Sequence, residues 1–229
     1  MIAVTSFSPK GYEVYGKKFL ESAVKHWPTE ILVYYEDKPD FEHEKIVYKP
    51  LLEVYGLKAF LTYCDTNPAF QGRVGGGYSF NYDAAKFARK AFSQFDALQH
   101  NTGKIFWLDA DCIVKKDVPI QFLKDIFDGK TLALLQRPDL YTESGFVGFD
   151  THGSCFDYFL KNYIDVYRRG ILFKLPGWHD CWALDYAVKE SLVPVNNLSV
   201  DYPQCGINVM PHSILGEFLV HNKGQRKFN

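Results

Sequence analysis

A surplus of either charge is what this 229-residue chain most plainly lacks: 26 Lys and Arg stand against 27 Asp and Glu, a formal net charge of −1. Without a basic excess there is no global field to recruit nucleic acid or an anionic membrane, so any phosphate must meet a local cluster of donors. The five cysteines form an odd set with no C-x-x-C spacing, and the opening "MIAVTSFSPK" has no apolar core of the secretory kind. Free thiols in a reducing, cytoplasmic setting are therefore expected, and the sequon "NLS" at Asn197 is read as chance. No apolar run reaches membrane-span length, and no Pro/Ser linker or repeat interrupts the chain.

What is present is a 47% hydrophobic content, enough to fill a sizeable core, arranged in alternating strand-like and helix-like segments. Ile2 to Thr5 reads as a buried strand, and "YGKKFLESAVKHW" places Phe19, Leu20, Ala23, Val24 and Trp27 on one helical face. "EILVYYED" and "KIVYKPL" read as strands, "LEVYGLKAFLTYC" and "DAAKFARKAFSQF" as helices, and "KIFWLDAD" as the next strand. Further on come helices at "PIQFLKDIF", "CFDYFLKNYIDVYRR" and "CWALDYAVKE", with strands at "TLALLQR", "SGFVGFD" and "EFLVH". This order predicts an α/β fold with a mainly parallel sheet flanked by helices. A single domain over residues 1–229 is expected, with 1–111 as a nucleotide-binding half and 112–229 as an acceptor side with a C-terminal tail. Gly75 to Gly77 lack the following Lys-Ser/Thr of a phosphate loop and read as a lid or surface loop.

The chemistry concentrates at "IFWLDADCIV". In an extended segment Asp109 and Asp111 share a face, and two adjacent carboxylates repel unless a cation or proton lies between them. A hard divalent cation suits such oxygen ligands and completes its shell with phosphate oxygens. A helix cap beside a solvated turn residue would leave the same pattern. Near the end, "HNKGQRK" follows an apolar run: His221 offers an imidazole ligand, Gly224 close backbone approach, and Lys227 a point charge for phosphate. A frayed basic terminus is the alternative. Together the two stretches supply what a metal-bound diphosphate requires.

The D-x-D, the "ESGFVGFD" segment and the terminal H-x-x-G-x-x-K resemble the nucleotide-sugar glycosyltransferases of GT-A (Rossmann-like) fold. Their order is most similar to the glycogenin and lipopolysaccharide galactosyltransferase family. The resemblance implies that Asp109, Asp111 and His221 bind Mn²⁺ or Mg²⁺, with Ala110 between the aspartates counted in the donor site. It further implies that Gly224 and Lys227 contact the diphosphate, that Thr5 and Ser6 lie against base and ribose, and that Lys86 reaches the donor. Glu143 falls where a polar residue faces the sugar, Asp180 takes the first aspartate of a D-Q-D motif, and Cys181 replaces the usual glutamine. That departure leaves retention or inversion open, with Asp180 or Glu143 as a candidate general base. Asp180 also reads as an N-cap, Glu143 as a loop carboxylate, and Lys86 as a solvated lysine. Trp178 would stack on an acceptor sugar or sit in the core.

The implied activity is metal-dependent transfer of a hexosyl group from a nucleoside diphosphate sugar, UDP-linked, to a hydroxyl of a glycan or similar acceptor. Nucleic acid and a membrane span are not expected. The rival readings are a haloacid dehalogenase-type phosphatase with the D-x-D as nucleophile, a pyrophosphorylase, and a non-catalytic sugar-binding module. The first normally places its motif after the first core strand, and the second needs a Gly-rich, Arg-containing loop that "TSFSPKGYEVYG" does not supply.

Overall fold

The first strand sets the pattern for the rest. In β1 (Ile2–Phe7) alternate side chains face opposite sides of the sheet, so Ala3 and Phe7 enter one apolar cluster and Val4 the other. The computed structural model describes residues 1–224. Ser8 caps a short α1 (Pro9–Gly11), its hydroxyl accepting from the Gly11 amide at 3.1 Å, and a π-type turn leads into α2 (Lys17–His26). Next come β2 (Ile31–Tyr35), β3 (Ile46–Pro50) and α3 (Leu57–Asp65).

The Gly75–Gly77 stretch is the turn of a small hairpin, β4 (Arg73–Val74) with β5 (Gly77–Tyr78). Gly75 and Gly76 have φ of +58° and +80°, a two-residue turn that glycine adopts without strain. Asp83 then caps α4 (Ala84–His100), which leads into β6 (Lys104–Leu108) and, after a turn, β7 (Cys112–Val114). The remaining elements are α5 (Ile120–Asp125), β8 (Leu132–Leu135), β9 (Glu143–Asp150), α6 (Phe156–Arg168), α7 (Asp180–Ser191), β10 (Val195–Asn197) and β11 (Leu219–His221).

Seven strands form the central sheet in the order β10-β8-β9-β6-β1-β2-β3. All neighbours are parallel except β9, which runs antiparallel to both β6 and β8. This is the mainly parallel α/β sheet expected, flanked by helices, with a short edge strand at 195–197 that the periodicity did not reveal. Buried residues of α3, α4, α6 and α7 cover one face, and those of α2 and α5 with the C-terminal segment cover the other.

Because β9 is reversed, its first residue, Glu143, lies at the edge where the parallel strands end. β11 pairs antiparallel with β7, setting His221 opposite Cys112 and bringing the last described strand back to the D-x-D turn. All five cysteines are unbridged, and no helix among the described residues is long and apolar enough to cross a membrane. Asn197 is not a free sequon side chain: its carbonyl oxygen accepts from the amides of Gln136 and Ser199, both at 3.0 Å.

Candidate active site

β6 ends at Leu108 because the chain turns there. The Asp109 amide still donates to the Gly145 carbonyl at 2.9 Å, while the Cys112 amide folds back onto the Asp109 carbonyl at 2.9 Å. Ala110 is tucked into the apolar core at 4% exposure, while the aspartates on either side of it both approach His221. Asp109 Oδ1 accepts from the Trp107 indole and the Lys90 ammonium, each at 2.7 Å. Asp111 Oδ1 lies 3.0 Å from His221 Nε2, and Asp109 Oδ2 lies 3.7 Å from the same nitrogen.

The other side of the imidazole is equally committed. His221 Nδ1 is 3.0 Å from Glu143 Oε1, which also receives the Lys223 ammonium at 2.8 Å. Gly145 makes the close approach possible: a Cβ there would lie 2.3 Å from His221 Cε1. Ligand atoms of Asp111, Cys112 and His221 lie within 4.8 Å of one another. The Cys112 thiol, however, is turned toward the Gly145 carbonyl, and burial pushes its pKa well up, so the carboxylates and imidazole are the better donors.

Burial opposes charge on both Glu143 and His221, yet their pairing wins. The His221 bond and the Lys223 ammonium hold the Glu143 carboxyl down at about 2, and bonds to Asp111 and Glu143 push His221 up to about 9. Lys90 is largely covered too, but Asp109 and Asp180 raise its pKa; Asp180 in turn is lowered, against burial, by Lys90, His179 and a hydrogen bond from Ser144. Lys90 Nζ spans Asp109 Oδ1, Asp180 Oδ2 at 2.9 Å and Ser144 Oγ at 2.8 Å. Four carboxylates (Asp109, Asp111, Glu143, Asp180) thus meet Lys90, Lys223 and a protonated His221.

Against the sequence reading, Asp109, Ala110, Asp111, Glu143, Asp180 and His221 converge on one edge of the sheet. Lys86 does not join them: it is exposed at the start of α4, its ammonium 5.5 Å from the Phe87 ring centroid. Lys90, one turn later, is the lysine that enters the site. Asp180 is the first residue of α7 rather than its cap, that position belonging to His179, whose side chain makes no capping bond. Glu143, 1% exposed with Oε1 doubly bound, is not a free loop carboxylate, and neither it nor Asp180 at 2% is open to an acceptor hydroxyl.

Thr5, two residues before the end of β1, is fully buried and its hydroxyl oxygen has no hydrogen-bond partner among the described residues. Ser6 beside it is half-buried, and Gly224 has φ of +59° with open space around its Cα. Lys227 lies outside the described residues. Trp178 is half-buried, packed edge-on against Phe70, Tyr82 and Phe173. Cys181 Sγ sits 3.1 Å from Ser144 Oγ, and burial followed by the Asp180 charge keeps it a protonated thiol.

Lys90, Ser144 and Lys223 were missed in the sequence. The signal for Lys90 lay in α4 itself, whose residues from Ala91 to Leu98 are buried without a break, so a lysine at the entry to that run needs carboxylate partners.

A central mainly parallel sheet, one reversed strand, and a D-x-D turn met by a C-terminal strand make this a GT-A-type fold, the architecture of nucleotide-sugar glycosyltransferases. The chain is similar to mouse xyloside xylosyltransferase 1 in its apo form, with a TM-score of 0.52, 11% identity and 94% of each chain covered. It is also similar to the glycosyltransferase GlyE of Streptococcus pneumoniae TIGR4, with a TM-score of 0.51 and 14% identity over 98% of this chain and 54% of that one. The chain therefore spans about half the length of GlyE. No protein-family model matches the sequence, and no curated protein matches it. At these identities the likeness defines the fold, and the chemistry rests on the site.

Proposed function

We propose that the protein is a metal-dependent glycosyltransferase that moves a hexosyl group from a UDP-sugar to a hydroxyl of a glycan or similar acceptor. The observation that carries this reading is the meeting of Asp109, Asp111 and His221 around one point, with His221 Nε2 at 3.7 Å and 3.0 Å from the two carboxylates. That donor set of oxygens with one imidazole suits Mn²⁺ or Mg²⁺. The charge inventory fits as well, since a divalent cation replacing the His221 proton would balance four carboxylates and two lysines. Such an ion supplies neutralisation of the departing diphosphate, the largest electrostatic demand of the transfer.

The chain's own residues do the positioning. Glu143 accepts from His221 Nδ1 and so directs Nε2 at the aspartates, the usual way an outer carboxylate orients a ligating imidazole. Lys90 holds Asp109 in place and neutralises Asp180. Ser6, half-buried near the end of β1, would lie against base and ribose, with the fully buried Thr5 supporting that strand end from beneath. Gly224 and Lys227 would contact the diphosphate. Glu143 and Asp180, deep in ion pairs, serve this scaffold rather than proton abstraction, and the protonated Cys181 is no nucleophile. A single cytoplasmic domain acting on a diffusible donor completes the proposal.

The test is a hydrolysis panel of UDP-glucose, UDP-galactose and UDP-N-acetylglucosamine with Mn²⁺ and with EDTA, beside p-nitrophenyl phosphate. Metal-dependent UDP release from at least one donor is expected. Turnover of the phosphate ester alone would favour the phosphatase reading, and silence throughout would favour a sugar-binding module.

A further inference from the structure

Arg137 is an unusual cation in this fold. It lies on the connection from β8 to β9 and is 6% exposed, yet forms no ion pair among the described residues. Its Nε donates to the Tyr141 carbonyl at 2.9 Å and its Nη1 to the Ile207 carbonyl at 2.7 Å. The neighbouring Asp185 is spent on Thr142, accepting from its amide at 2.9 Å and from its hydroxyl. By contrast, Lys90, Lys223, Arg89 and Lys49 each pair with a carboxylate. Asp185 keeps its charge near Arg137 but makes no direct ion pair with it, so this charge and the two carbonyl bonds offset only part of the cost of burying the guanidinium.

Nη1 is occupied by the Ile207 carbonyl, whereas Nη2 has no hydrogen-bond partner among the described residues and is not fully sealed from solvent, which leaves its N–H groups to be satisfied. Ile207, whose carbonyl covers Nη1, is itself 68% exposed, which puts the guanidinium just beneath the surface.

A second unsatisfied group lies alongside. The Tyr141 ring lies between Arg137, 5.0 Å from its centroid, and His179, which meets it edge-on at 4.6 Å between ring centroids. His179 is 2% exposed and its Nε2 has no partner. From there the row continues through Asp180 and Lys90 to Asp109. In the strand order, β8 and β9 flank the D-x-D strand on the side away from β1, so this row is on the opposite flank from Thr5.

We infer that the acceptor carries an anionic group, a carboxylate or phosphate ester on a sugar, received by Arg137, which the Tyr141 ring holds in place. This rests on the glycosyltransferase reading and adds the acceptor's charge to it. A guanidinium N–H binds either oxyanion, and a charged hydrogen bond discriminates against a neutral analogue by about tenfold or more.

Saturation-transfer NMR tests it on the whole protein with Mg²⁺ and UDP, and again without them. The ligands are the methyl glycoside of glucuronic acid, its uncharged methyl ester, and glucose 6-phosphate. At least one acid should bind about tenfold more tightly than the ester, and which one does so identifies the group. Arg137→Gln should erase that preference and Arg137→Lys retain part of it, with melting temperatures confirming folded protein. Equal binding of acid and ester by the unmodified protein, or an undiminished preference in folded Arg137→Gln, would overturn the inference. Absence of UDP binding would instead count against the donor reading, because the acid preference is read from the sugar signal in both conditions.

Discussion

Replacing Gly145 with alanine perturbs the proposed metal site without removing any ligand. The added Cβ would stand 2.3 Å from His221 Cε1 and 2.4 Å from Nδ1, well inside contact distance, and the imidazole is 4% exposed with little room to retreat. Gly145 itself has no left-handed φ, so the backbone accepts alanine and the entire cost falls on the contact. Overpacking of this kind costs about 1–3 kcal/mol, and loosening the buried His221 pairs to Asp111 and Glu143 adds to it. A total of about 3 kcal/mol corresponds to a fall of roughly 6–12 °C in Tm for a chain of this size. Urea denaturation and calorimetric titration with Mn²⁺ and UDP read stability and affinity separately. The double variant Gly145→Ala with His221→Ala provides the decisive arm: once the ring is gone, the methyl should cost nothing further. An unchanged melting temperature and affinity in Gly145→Ala, or an equal cost with and without the ring, would refute the argument.

Three further outcomes follow from the same geometry. Lys90→Met strands Asp109 and Asp180 and should cost about 3–5 kcal/mol in urea, whereas Lys86→Met on the exposed turn should stay within about 0.5 kcal/mol. Cys181 should react with iodoacetamide more slowly than exposed Cys155 near neutral pH, as resolved by peptide mass spectrometry; the reverse order would contradict a half-buried, protonated thiol. Burial, then the bond to Asp96, raises the Tyr34 pKa, so its stabilisation is whole below the unfolded value of 10.0 and is lost as pH climbs above it. Tyr34→Phe should therefore flatten the alkaline loss of stability by up to about 1.4 kcal/mol per pH unit, and an unchanged slope would contradict this.

The strands and helices were legible where one periodicity ran long enough, as in β1, α2, α4 and β6. β10 was not, because three half-buried residues at a sheet edge carry no alternation of their own. Nor did the apolar run at β9 disclose its direction, since burial on both faces looks the same for parallel and antiparallel strands. At the site, Asp109, Asp111 and His221 were readable as residue types whose chemistry is rare at strand ends. Lys90 was not, because choosing it over Lys86 requires knowing that α4 is packed on more than one side. Glu143 was located but its partners were not: the His221 and Lys223 pairings depend on β11 returning across some 78 residues of chain. Loop and long-range charge pairing are three-dimensional facts that a local pattern does not encode.

The central claim, that Asp109, Asp111 and His221 hold a cation through which the nucleotide binds, is met most directly by calorimetric titration of UDP with Mn²⁺ and with EDTA, on the unmodified protein and on Asp111→Asn. Binding heat is predicted only with Mn²⁺, and its loss in a folded Asp111→Asn. UDP binding of equal strength in EDTA, or undiminished by that substitution, would contradict the account.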